Sequence, residues 1–228
     1  MPIEVDDVVQ DANALRTGPM EKYKAELAAK GYSEARLGKF DASLDNLLKK
    51  DSAQKTAQAA LLQKTQEQDA AINTAIAVIT KFQNAGKAAF GRDRVRLKEF
   101  KVGTDKPKSV GGLITMLEYF TGVAGKYTAE LLANGLTEDD LSGLSTVYGA
   151  LVAADASQEN AKKLRNAATS TRDGVLSILK EEVFKVRKLA QVVFAGDKAV
   201  LEEFKPIQKG RGKATPKQPT GDQQQPQK

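Results

Sequence analysis

The sequence predicts an all-α fold, an internally duplicated helical bundle. Apolar residues recur three and four positions apart rather than alternating, which is the pattern of helices that bury one face. Residues from Thr17 to Lys101 also align without a gap onto Thr121 to Lys205, at an offset of about 104 positions, near the size of one small domain. TGPMEKYKAELAAKGYSEARL (Thr17 to Leu37) matches TGVAGKYTAELLANGLTEDDL (Thr121 to Leu141), and AFGRDRVRLKEFK (Ala89 to Lys101) matches VFAGDKAVLEEFK (Val193 to Lys205). The second match pairs Phe90 with Phe194, Asp93 with Asp197, Leu97 with Leu201 and Phe100 with Phe204. The expected division is a helical unit over 1–104, a second unit repeating it over 105–206, and a disordered basic tail over 207–228.

Each unit reads as about four helices. In the first, Val8, Val9, Ala12 and Leu15 can form opening turns, and Pro19 either kinks the helix or begins a new one. Tyr23 and Leu27 continue the stripe to a stop at Gly31, and Ser33 caps a helix carrying Leu37, Phe40, Leu44 and Leu47. A long helix from Ser52 to Ala89 follows, with Leu61, Ile72, Ile76, Ile79 and Phe82, and Asp93 opens a short closing helix. KVGTDKPKSVGG (Lys101 to Gly112) is the linker.

The second copy is cleaner. Leu113, Leu117, Phe120, Ala124, Tyr127 and Leu131 make one helix, stopped at Asn134-Gly135. Thr137 caps the next, whose stripe is Leu141, Leu144, Tyr148, Leu151 and Val152, with its end or a tight bend expected at Asp155. A third helix is expected from about Ser157 to Phe194, including Leu164, and a fourth from Asp197 to Phe204, before Pro206. Apolar stripes of this kind are satisfied by helix on helix. The two copies are expected to pack about a pseudo-twofold axis, as a fused symmetric dimer would, in preference to two separate bundles. Phe90, Phe194, Phe100 and Phe204 are expected to anchor the short closing helices.

After Pro206 the sequence is rich in Pro, Gln, Gly and Lys, with too little apolar surface to offset ordering entropy. The chain carries a net charge of +6. From Lys205 onward about six Lys or Arg face the single Asp222, so roughly +5 belongs to this end and about +1 to the rest. The basicity is therefore that of a tail, which argues against a groove-reading nucleic-acid domain.

Cys, His and Trp are absent. Disulfides, thiolate or imidazole zinc sites, and Cys or His catalysis are thereby excluded. No apolar run approaches the ~20 residues needed to span a bilayer. The acidic start MPIEVDDVVQDA lacks a basic region followed by an apolar run, and a cytoplasmic protein is expected.

No catalytic, cofactor-binding or metal-binding residue is assigned. Glu138, Asp139 and Asp140 read as the acidic first turn of a helix. Lys22, Tyr23 and Glu26, repeated as Lys126, Tyr127 and Glu130, could serve proton transfer. Helix surface pairs with a tyrosine on the apolar stripe are the better reading. The glycines fit no phosphate-loop spacing. A polyanion site is possible at Arg92, Arg94, Arg96 and Lys98, in a segment that continues to Lys108, and in the tail at Lys209, Arg211, Lys213 and Lys217. Without interleaved aromatics, a solvated charged face is the favoured reading of the first group.

LLANGLTEDDLSGL, followed by a polar segment and a long charged helix, resembles a group of bacterial tandem helical-bundle proteins that have no assigned function. That resemblance implies an all-α protein without an active site. The expected role is a non-enzymatic scaffold or protein-interaction module whose partner is another protein. The alternative is non-specific phosphate binding through the tail and the Arg92 to Lys108 region.

Overall fold

The computed structural model describes residues 5–207. Among them the chain is all-α, with no strand: α1 (Val5–Thr17), α2 (Pro19–Lys22), α3 (Lys24–Ala29), α4 (Glu34–Phe90), α5 (Arg94–Glu99), α6 (Val110–Lys126), α7 (Thr128–Ala133), α8 (Glu138–Val193) and α9 (Lys198–Glu203). Of the tail expected over 207–228, only Ile207 lies within the described residues.

The helices start and stop where their chemistry demands. Gly31 and Gly135 take φ of 92° and 98°, values that favour glycine. Around Gly31, its N–H donates to the Ala28 carbonyl and the Tyr32 N–H to that of Leu27, the paired bonds of a Schellman stop. Leu136 N–H reaches back to Leu131 in the same way. Asp93 Oδ1 accepts from the Val95 and Arg96 amides, and Asp197 Oδ1 from those of Ala199 and Val200, which fixes the starts of α5 and α9. Pro19 occupies the first turn of α2, the expected new start.

Two expectations about helix boundaries are corrected. Asp155 does not end a helix, nor does Ser157 begin one. Both lie inside α8, which runs for 56 residues, and α4 likewise runs unbroken for 57. No Gly or Pro stands between Phe40 and Gly86 or between Ala150 and Gly174, and these Ala-rich stretches favour helix throughout. Conversely, the helix expected through Leu131 breaks at Tyr127 (φ −124°, ψ 30°), as the chain does at Tyr23 (φ −112°, ψ 29°). Tyr127 N–H closes a tight turn on Ala124, and its ring lies among phenylalanines.

The described chain divides into two compact units. Residues up to Leu44 together with those from Leu179 form the first, and Asp45–Ile178 the second. Each unit thus draws on residues from both sides of the boundary expected at 104 and 105. In the second unit Phe82, Phe100, Leu117, Phe120, Leu131 and Leu144 are fully buried. In the first, Ala12, Leu15, Met20, Leu27, Phe40, Leu179, Val186 and Ala190 form the interior. A buried side chain of this size contributes about 1.5 to 3 kcal/mol. Leu164 and Val152, assigned to apolar stripes from the sequence, are exposed.

The short helices α5 and α9 close on Tyr127 and Tyr23 respectively. In the second unit Phe90 and Phe100 lie 4.9 and 5.8 Å from Tyr127 between ring centres. In the first, Phe194 and Phe204 lie 5.0 and 6.1 Å from Tyr23. Phe90, Phe100, Phe194 and Phe204 thus flank the short helices, each pair against one tyrosine ring.

Candidate functional site

Lys22 and Lys126 hold these closures, pairing with Glu203 and Glu99 in place of the Glu26 and Glu130 expected from helical spacing. Lys22 Nζ lies 2.7 Å from Glu203 Oε1, which also accepts from the Tyr23 hydroxyl at 3.0 Å. The Lys22 ammonium, with help from Tyr23, keeps the Glu203 carboxyl below the ordinary range. Lys126 Nζ lies 3.2 Å from Glu99, repeating the arrangement in the second unit. Glu138, Asp139 and Asp140 occupy the first turn of α8. Asp140 Oδ2 accepts from the Thr137 amide at 3.0 Å while the Thr137 hydroxyl accepts from the Asp140 amide at 3.2 Å, a reciprocal cap. Asp140 also pairs with Lys81, and that ammonium, followed by the Thr137 amide, lowers its pKa. Among the described residues no cluster of carboxylates is arranged to hold a metal ion.

Arg92, Arg94, Arg96 and Lys98 are all exposed. Arg96 is turned over the rings of Phe90 and Tyr127, at 5.2 and 5.9 Å, and leans toward Asp93 at 3.6 Å, so it completes the aromatic closure of the second unit. Lys209, Arg211, Lys213 and Lys217 lie outside the described residues.

A further constellation, in the first unit, was not singled out from the sequence. The start of α4 and the C-terminal part of α8 enclose a groove of about 560 Å³ lined by Tyr32, Arg36, Lys39, Glu182, Phe184 and Lys188, with Lys185, Leu189 and Val192 completing it. The Schellman stop at Gly31 sets Tyr32 at its base. Tyr32 is only 7% exposed, and its buried hydroxyl has no hydrogen-bond partner. Burial, and then the nearby Glu182 and Asp41 carboxylates, push its pKa up to about 12, so it remains a neutral donor. Phe184 and Val192 are 59% and 72% exposed on α8. Lys188 stands 5.5 Å over the Phe184 ring, and Lys185 pairs with Glu181 and Glu182.

No family model, curated protein or solved structure matches the chain. Among the described residues no helix is long and apolar enough to cross a membrane.

Proposed function

We propose that the chain is a tandem duplication whose copies have exchanged their closing helices, and that it works as a non-enzymatic scaffold that binds other proteins. The duplication is supported by the recurrence of the same contacts at matched positions. Tyr23 with Phe194 and Phe204 corresponds to Tyr127 with Phe90 and Phe100, and Lys22 with Glu203 to Lys126 with Glu99. A reciprocal exchange of this kind is what a fused symmetric dimer would retain.

The observation that carries the scaffold reading is the outer side of α8 in the first unit, where Phe184 and Val192 are exposed beside cations. Large apolar side chains gathered at the surface with a polar surround mark interaction sites. Lys22 and Lys126, by contrast, are engaged in holding the closing helices.

Phosphate-backbone binding is a second reading, favoured by the exposure of Arg92, Arg94 and Lys98. Affinity capture with the full chain, with and without nuclease, separates the two. Proteins retained after nuclease treatment support the scaffold. Loss of all captured material on nuclease treatment favours phosphate binding, and an empty capture overturns the scaffold reading.

A further inference from the structure

The residues of the groove in the first unit have counterparts in sequence with a different charge pattern. At the positions matching Tyr32, Arg36, Glu182 and Lys185, the second unit has Leu136, Asp140, Val78 and Lys81. There the carboxylate of Asp140 caps the start of α8 and pairs with Lys81, while Leu136 is buried. The second unit therefore answers its own charge. In the first unit the matching residues Arg36 and Lys185 are both cations and cannot pair.

Arg36 also occupies the third position of α4, where an acid is favoured because the helix N-terminus is itself positive. Lys39 follows about one turn later, and Lys188 approaches from α8. Among the described residues Glu182 is the only carboxylate lining the groove, and Lys185 engages it, while the nearby Asp41 is held by Arg16. Beneath these cations lies the unpartnered Tyr32 hydroxyl, whose burial without a hydrogen bond is costly to leave uncompensated.

The geometry points to an acidic, amphipathic segment of a partner protein as the occupant of this groove, its carboxylates meeting Arg36, Lys39 and Lys188, one of them accepting from Tyr32, and its apolar residues covering Phe184 and Val192. Charge complementarity selects an acidic ligand. The apolar wall selects one that also carries hydrophobic residues, which a nucleic-acid backbone does not. The concave floor, with a hydroxyl shielded from solvent, suits an inserted side chain better than the flat surface of a bilayer. This inference rests on the scaffold reading and gives it a site and a partner chemistry. The comparison with the second unit rests further on the proposed duplication.

The test uses the full chain and a fluorescein-labelled peptide in which Glu and Leu recur at helical spacing, followed by fluorescence anisotropy at low salt. A second peptide has Gln for every Glu, and a third has Ser for every Leu. The Glu–Leu peptide is expected to bind, and each altered peptide to bind at least about tenfold more weakly. Arg36→Asp supplies the acid found at the matching position, which suits the helix start, so the variant keeps its fold while its affinity falls about tenfold or more. Tyr32→Phe removes only the hydroxyl and is expected to weaken binding about five- to tenfold without lowering the melting temperature.

Equal binding of the Gln peptide, or full affinity in both Arg36→Asp and Tyr32→Phe, overturns the proposal. So does an absence of binding by the Glu–Leu peptide. Competition by an oligothymidylate or by phosphatidylglycerol vesicles, with no loss on replacing Leu by Ser, reassigns the groove to a general anion surface. Failure of the groove is distinguishable from failure of the scaffold reading. Partners captured after nuclease treatment and retained equally by Arg36→Asp leave the scaffold standing and remove this site from it.

Discussion

The two units close with the same aromatic residues but not equally tightly. Around α5, Tyr127, Phe90 and Phe100 are all buried, and Arg96 covers two of the rings. Around α9, Phe204 is buried, while Tyr23 and Phe194 at the matching positions are half-buried. One substitution accounts for part of the difference. Gly86 lets Phe100 approach α4 so closely that a Cβ there would lie 2.4 Å from its Cγ, whereas the matching residue of α8 is Ala190. The first unit compensates with polar bonds. Arg187 donates to the Phe204 carbonyl and to Asp11 Oδ1, both at 2.7 Å, and Asp11 also accepts from the Ile207 amide. At the position of Arg187 the second unit has Gln83, which donates to the Lys101 carbonyl. An aromatic closure can thus be secured by close packing or by charged hydrogen bonds.

The largest expected effect is on the aromatic anchors. Phe100→Ala should cost about 3 to 5 kcal/mol, and Phe204→Ala should fall at the lower end of that range because its neighbours are partly solvated. Urea midpoints compare them, and a smaller shift for Phe100→Ala than for Phe204→Ala would break the distinction. Gly86→Ala comes next. On an open helix this change is stabilising, but here the methyl meets Phe100 Cβ, Cγ and Cδ1, all under 3 Å, so a net loss of about 1 to 3 kcal/mol is expected. Thermal unfolding checks it, and a raised melting temperature would show that Phe100 can move aside.

The smallest effect concerns Asp140. Its pKa is lowered in the folded state, so its contribution is present above the unfolded value near 4 and is lost as pH falls through the folded value. Asp140→Asn should cost about 0.5 to 1 kcal/mol at neutral pH, since the pair with Lys81 is partly solvated, and should flatten the acid limb of the stability curve. A cost that is the same at pH 7 and pH 2 would assign the loss to shape rather than charge.

The fold class, the glycine stops, and the Asp93 and Asp197 caps were legible because each depends on a few adjacent residues. The merging of helices at Asp155 was not. An aspartate looks like a terminus until its tertiary partner Gln68, which donates to it at 2.7 Å, is known. The packing of α5 beside Tyr127 and of α9 beside Tyr23 was equally hidden, because similarity between two segments leaves open which of them packs on which. The groove left a trace in the sequence, but in the mismatches: Tyr32 against Leu136 and Arg36 against Asp140 stand inside the best-matched segment. Their meaning needs Lys185 and Phe184, far along the chain, to be brought opposite them. Identities between the copies report the shared helical scaffold, and the departures from identity report where the units diverge.

The cations at the start of α4 also set how the protein would fare without company. Arg36 opposes the field of its own helix start, so the acidic occupant proposed above would relieve a cost the free chain carries. An occupant present at a hundred times its dissociation constant would add about 2.7 kcal/mol to the stability of the state that binds it. A chain lacking that occupant would open more often at this end and meet proteases there first. Its abundance in a cell would then follow that of its partner, with excess copies cleared and matched copies kept.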